Sequence, residues 1–338
     1  MAGTRVGSRI IARLVAWAAL VIISLAATLA WWLHRPLDLA TPEVELSIER
    51  GTPAAAVAQA WVDAGVKTSA PLLAQWFRWS GQARQIRAGS YEVESGVTPR
   101  RLLEMMVQGE QTLEAGRCIE GWNFRQVRQA LARAPHLRQL TAGLDDAAVM
   151  AALGRPGQAA EGRFFPDTYL YSRGVSDLTV LKRSMQTMDR HLARIWAERA
   201  PGLPLSNADE ALILASIIEK ETGLDEDRER ISAVFVNRLR IGMPLQTDPT
   251  VIYGLGEAFD GNLRKRDLRG DTPWNTYVRR GLPPTPIAMP GLASLRAAVR
   301  PQATRELYFV ARGDGSSAFS ESLADHNRAV NRYQRGGP

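Results

Sequence analysis

Leu212-Ile213-Leu214-Ala215-Ser216-Ile217-Ile218-Glu219-Lys220-Glu221-Thr222-Gly223 is an almost wholly apolar run that ends in two glutamates around a lysine. It is too long for an ordinary strand. Ser206 with Asp209 three residues on resembles a capping-box start, and Gly223 is a natural residue just past a helix end, so the spacing predicts one buried helix over Asn207 to Thr222. Glu219 then shares a face with Leu212, Ala215 and Ser216, and Glu221 lies beside Leu214, Ile217 and Ile218. Periodicity does not choose between them. Burial and the negative end of the helix dipole both disfavour an ionised carboxylate, so a glutamate at this end can stay protonated near neutral pH and donate a proton. A cation lowers a carboxyl pKa, and the direction of the Lys220 ammonium is not legible. The plainer alternative is that one or both glutamates turn to solvent or pair with Arg228, Arg230 or Arg238.

Working outward, Asp225 to Arg230 reads as a charged connection. Ile231 to Leu239 reads as a second amphipathic helix, which Gly242-Met243-Pro244 stops. Leu245-Gln246-Thr247-Asp248-Pro249-Thr250-Val251-Ile252-Tyr253-Gly254 follows. Upstream stands Glu161-Gly162-Arg163-Phe164-Phe165-Pro166-Asp167-Thr168-Tyr169. Downstream stand Asn275-Thr276-Tyr277, Gly281-Leu282-Pro283-Pro284 and Pro286-Ile287. In this order and at this spacing, with Glu-Lys-Glu-Thr and Val-Asn-Arg-Leu, these stretches resemble the endolytic murein transglycosylase family over nearly the whole chain.

The resemblance implies a bitopic inner-membrane enzyme that cuts glycan strands of nascent peptidoglycan and ends their elongation, with penicillin-binding synthases as partners. It places the family's catalytic glutamate, the first of the Glu-x-Glu pair, on Glu219. It further implies that Gln246, Thr247, Asn275 and Tyr277, with Glu221 beside them, contact substrate.

The composition is compatible with that expectation. A chain of 338 residues is long enough for two or three domains with an ordinary core. Four lysines against 38 arginines reflect a coding bias, and no nucleic-acid partner is read from them. The net charge of +7 fits a protein near anionic lipid or a carboxylate-bearing polymer, although a basic solvated surface is the commoner meaning. A single cysteine, Cys118, excludes an intrachain disulfide, and the four histidines form no metal-ligand spacing, so neither a metal nor another cofactor is expected.

Leu14 to Leu33 is apolar but for Ser24 and Thr28, and at ~1.5 Å per residue it spans a ~30 Å hydrocarbon core. Residues 1–13, with Arg5, Arg9 and Arg13, are then cytoplasmic, 14–33 a transmembrane helix, and the remainder extracytoplasmic. A cleavable signal fits less well, because the apolar run exceeds a normal signal core and Thr28-Leu29-Ala30 is a loose cleavage site.

Beyond the span, a strand at Val44 to Ile48, helices at Ala56 to Ala64 and Ala70 to Ser80, a strand at Ala88 to Val93 and a helix opened by Thr98-Pro99 form a small α/β unit over 44–110. This unit resembles a LysM-like glycan-binding module. Trp76 and Phe77 can stack on sugars, but aromatics at helical spacing more often form core. The pattern Ile48-Glu49-Arg50-Gly51 with Val57 recurs as Ile119-Glu120-Gly121 with Val127, which suggests a second copy over 119–186. The rest of 111–338 is read as an α+β catalytic domain. It contains a long helix over Leu178 to Glu198, an exposed loop over Asp260 to Thr276, a helix over Leu292 to Val299 and a closing hairpin around Gly313-Asp314-Gly315. His326 falls in a terminal helix and lies near substrate or merely at the surface.

A hydrolase normally uses two carboxylates, whereas the transglycosylase chemistry that the resemblance implies needs one that gives and then retakes a proton. Three readings follow. They are a lytic transglycosylase, a muramidase using Glu219 with Asp248, and a non-catalytic glycan-binding scaffold.

Overall fold

The computed structural model describes residues 3–336, with side chains from residue 16 onward. The side chains of Arg5, Arg9, Arg13 and Leu14 lie outside the described residues. The chain is mixed α+β and divides into two compact units, residues 1–114 with 172–174, and residues 115–171 with 175–338.

The first unit opens with helix α1 (Gly3–His34), of which Ala16–His34 is long and apolar enough to cross a membrane. Trp17, Leu20, Ile22, Ile23 and Leu25 on it are all more than half exposed. There follow β1 (Asp38–Leu39), β2 (Glu43–Ile48), α2 (Ala54–Ala64), β3 (Val66–Lys67), α3 (Ala70–Trp79), β4 (Gly89–Glu94) and α4 (Pro99–Gln108). β2 and β4 pair antiparallel from Glu43↔Glu94 to Ile48↔Gly89, and β1 pairs with β3. Their alternation sends Val44, Ile48, Tyr91 and Val93 inward onto Trp61, Phe77, Leu102 and Met106. Phe77 is therefore core, and the exposed aromatic of α3 is Trp79. Two helix ends behave as their residues dictate. Thr98 caps α4 by accepting from Arg101 N–H, and Gly109 closes it in the left-handed conformation that favours glycine.

Residues 172–174 complete this unit from far along the chain. The Arg173 guanidinium pairs with Glu45 and Glu114, and lies 3.8 Å from Glu92. Ser172 Oγ donates to Gln111 Oε1 at 2.6 Å.

The second unit contains most of β5 (Leu113–Arg117), whose first two residues belong to the first unit, α5 (Phe124–Ala132), α6 (Asp146–Ala152), β6 (Thr168–Ser172) up to Tyr171, α7 (Asp177–Ala197), α8 (Ala208–Glu221), α9 (Asp225–Arg240), α10 (Asp248–Leu255), α11 (Lys265–Arg269), α12 (Leu292–Val299), β7 (Tyr308–Ala311), β8 (Ser317–Ser320) and α13 (Leu323–Gln334). β5 pairs with β6, so the order strand, helix, helix, strand recurs here. β7 and β8 form an antiparallel hairpin.

α8 is the hub. It packs against α7, α9, α10 and α12, and Leu212, Leu214, Ile217 and Ile218 are fully buried. At ~1.5–3 kcal/mol for each such side chain, this burial outweighs the modest helix propensity of its β-branched residues.

Several expectations are corrected. The N-cap of α8 is Asn207, which accepts from Glu210 N–H at 2.9 Å, while Ser206 N–H donates to Glu210 Oε2. Thr222 caps the C-terminus in an extended conformation, and Gly223 does not adopt a left-handed one. Asp225 to Arg230 is no connection but the first turns of α9, because three acidic residues suit the positive end of a helix. The stretch 260–276 is not simply an exposed loop. It contains α11 and ends in Asn275 and Thr276, both buried.

Candidate active site

Because Glu219 and Glu221 are two residues apart on α8, their side chains leave the helix in different directions. On one side, Ser216 and Glu219 meet the segment that leads into α12. Ile287 N–H donates to Ser216 Oγ at 3.0 Å. One turn on, Gly291 N–H donates to Glu219 Oε2 at 3.0 Å and Ser294 Oγ donates to the same oxygen at 2.7 Å. Gly291 is the N-cap of α12 and Ser294 lies in its first turn, so a half-buried carboxylate occupies the positive end of that helix. Among the described residues no hydrogen bond reaches Oε1.

On the other side, Glu221 accepts a short hydrogen bond from Thr247 Oγ1. Burial pushes its carboxyl up to about 7, Asp248 adds to the rise, and Thr247 and Arg238 oppose it. Thr247 N–H donates to Thr276 Oγ1 at 3.1 Å, and Thr250 Oγ1 lies 2.8 Å from the same atom. Tyr277 OH donates to Asp248 Oδ1 at 2.6 Å. Lys220, between the two glutamates, reaches Gly121 O at 3.3 Å.

Of the residues expected to contact substrate, Thr247 and Asn275 are placed otherwise. Asn275 is fully buried; its Nδ2 donates to Asp267 O, Leu268 O and Gly270 O, and its Oδ1 accepts from Tyr277 N–H. Every polar atom of the amide is spent in folding the loop, so it is a scaffold residue. Thr247 is buried likewise, with its hydroxyl on Glu221. Gln246 is exposed and has a left-handed backbone, φ 49°, unusual for a residue with a Cβ. Tyr277 remains partly accessible.

A cleft of about 680 Å³ opens beside this end of α8, lined by Asn123, Glu161, Lys220, Tyr253, Phe259 and Trp274 among others. Tyr253 and Trp274 meet edge-on at 5.4 Å, and Trp274 Nε1 donates to Thr285 Oγ1 at 2.9 Å. Glu161, almost fully enclosed, accepts from Phe124 N–H with both oxygens and from Tyr253 OH at 3.1 Å. Burial is the largest influence on it and pushes its carboxyl up to about 7, against the lowering effect of those donors. No group of three or more His, Cys, Asp or Glu side chains among the described residues is placed to hold a metal ion.

Sequence reading did not single out Gly291, Ser294 and Trp274. Glu161 was visible as the first residue of a matched motif, and Glu120 within the repeated Ile-Glu-Gly.

One held carboxylate thus stands at the end of a buried helix whose neighbouring Lys220 lines an open cleft with aromatic and basic walls. The chain belongs to the YceG-like family, whose description matches residues 46–332. It is 30% identical over 307 residues to the endolytic murein transglycosylase of Bacillus subtilis strain 168, covering 86% of this chain and 84% of that one. It is 31% identical over 176 residues to the protein of the same name from Streptococcus pneumoniae serotype 2, covering half of this chain but only 31% of the pneumococcal one. A crystal structure of a yceG-like protein from Listeria monocytogenes superposes with a TM-score of 0.56 at 27% identity, covering 85% of this chain and 98% of that one.

Proposed function

We propose that this protein is a peptidoglycan lytic transglycosylase, anchored in the inner membrane by α1 with the rest of the chain outside the cytoplasm, and that Glu219 is its acid and base. The observation that carries the assignment is the fixed Glu219 carboxylate, with one oxygen held by Gly291 N–H and Ser294 Oγ and the other without a hydrogen bond among the described residues. Glu219 protonates the glycosidic oxygen as the bond from C1 of the muramic residue breaks. As a carboxylate it then removes the proton of that residue's C6 hydroxyl, whose oxygen closes on C1 to give a 1,6-anhydro end. The same group gives one proton and takes one, so no second carboxylate and no water are consumed.

The cleft along Tyr253, Phe259 and Trp274 is the seat of the glycan, and Lys220 suits its acidic substituents. The module over 44–110, with its βααβ order, is LysM-like. A second groove of about 490 Å³ between Gly51–Pro53 and Arg78–Ala88 is where it holds N-acetylglucosamine-containing chains. Cutting nascent strands ends their elongation, and penicillin-binding synthases are the partners this role calls for.

A second reading has its own observation. Glu221 has a carboxyl raised to about 7, with Asp248 close enough to contribute to the rise, which suits a hydrolase pair of acid and second carboxylate. Purified glycan strands digested by Glu219→Gln, Glu221→Gln and Asp248→Asn, with products weighed by mass spectrometry, distinguish the two. Glu219→Gln is expected to lose about 10²- to 10⁴-fold in turnover with binding retained, and the wild-type product to lack one water. Full activity in Glu219→Gln, or loss in Asp248→Asn with a hydrated product end, moves the assignment to the Glu221 side.

A further inference from the structure

A second carboxylate stands beside Glu219. Gly291, whose N–H holds Glu219, has its Cα face covered by the Glu120 side chain so closely that an added Cβ would fall on the Glu120 carboxylate. The backbone of Gly291 is ordinary, φ −75°, so a side chain there meets no conformational cost and instead displaces the flexible end of Glu120. Glu120 comes from the turn before α5 and Glu219 from the end of α8, and the two meet only because the chain between 287 and 291 threads past both.

The groups facing the pair are few. From α9, Arg228 is buried with its Nε unpartnered among the described residues, its guanidinium pairing with Asp225. From α8, the Lys220 ammonium lies on the carbonyl of Gly121, next in sequence to Glu120. α12 contributes the Gly291 N–H and the Ser294 hydroxyl. Glu120 is exposed as a residue, and its carboxyl is raised above its usual range, first by partial desolvation where it lies against Gly291 and then by Glu219, with Arg228 opposing.

Resting on the assignment of Glu219 as acid and base, we infer that Glu120 is a positioning residue for the cleavage step, the like-charged partner of Glu219. Once Glu219 has given up its proton, two like charges stand on either side of Gly291, and their repulsion favours the return of a proton. In the proposed cycle Glu219 begins with the proton it donates, and Glu120 faces it across Gly291. The proton leaves with the glycosidic oxygen, two like charges then face each other, and recovery of the C6 hydroxyl proton restores the starting state.

The test compares kcat and KM on purified glycan strands across about pH 4 to 8 for Glu120→Gln, Glu120→Asp and Gly291→Ala, with Glu219→Gln as reference. Glu120→Gln is expected to lower kcat about tenfold or more with little change in KM, and to move the alkaline limb of the profile about one unit or more to lower pH. Glu120→Asp keeps the charge and should restore the limb in large part. Gly291→Ala keeps both carboxylates and the N–H but displaces Glu120, and should reproduce the shift of Glu120→Gln. A wild-type kcat and limb in folded Glu120→Gln, or in Gly291→Ala, while Glu219→Gln is inactive, overturns this role and leaves the assignment of Glu219 standing. Activity in Glu219→Gln overturns both.

Discussion

Glu161 shows how one buried side chain can make a whole chain sensitive to pH. Its carboxyl is enclosed among Phe124 N–H and the Tyr253 hydroxyl and is raised from 4.5 to about 7 in the folded chain. The folded state therefore holds this proton more tightly than the unfolded one. The stability it contributes is fully present below about pH 4.5 and is lost as pH rises through about 7. Glu161→Gln keeps the shape and an acceptor oxygen but cannot ionise. Chemical denaturation across this range should show wild type losing on the order of 3 kcal/mol relative to the variant. Parallel pH dependences in the two proteins would mean that Glu161 is not raised. The same burial acts on Glu221 and on the Cys118 thiol, which is pushed up to about 12 and so is a poor nucleophile.

At the scale of elements, the turn into α10 holds a tension of its own. Gln246 N–H donates to Thr276 O at 3.1 Å, which fixes the backbone at φ 49° and places Thr247 against Glu221. A left-handed conformation costs a residue with a Cβ roughly 1 kcal/mol, and such strain tends to persist where function needs it. Gln246→Gly should therefore raise the unfolding free energy by up to about 1 kcal/mol, measured in denaturant, while cleavage of glycan strands falls if the side chain touches substrate. A less stable variant would show that the side chain itself holds the turn. Elements whose ends carry their own signals, such as the start of α4 at Thr98-Pro99, were legible to within a residue. The start of α9 was misread because six charged residues hid a helix whose acidic first turn only the dipole explains.

At the scale of the whole molecule, the first unit is not continuous in sequence. Glu45, Glu92 and Glu114 are gathered around Arg173, so the boundary falls after residue 114 with a return at 172–174, and the span 44–110 omits the cation that offsets three carboxylates. The exposed apolar stretch Ala16–His34 is long and apolar enough to cross a membrane, which leaves anchor and signal sequence to be told apart by experiment. A reporter active only outside the cytoplasm, fused after Pro338 in the full chain, should be active, and the protein should keep its full-length mass. An active cytoplasmic reporter at the same point would reverse the orientation, and a shortened mature chain would make the segment a signal sequence.

The sequence by itself determined the buried helix, the Glu-x-Glu at its end, the apolar span and the motifs that carry the family, because each depends on neighbours within a few residues: periodicity, caps and order along the chain. It also named Glu219, through resemblance and not through physics. Only the tertiary structure decided which groups face each glutamate, since Gly291, Ser294 and Glu120 reach Glu219 from 72, 75 and 99 positions away, and Thr247 reaches Glu221 from 26. No periodicity carries that information. It also separated Asn275, spent inside its loop, from Gln246, left exposed on a strained backbone, although the two looked equally polar in sequence. Hydrogen-bonding capacity belongs to the residue, but whether a fold consumes it or leaves it for a ligand is settled by what packs around it.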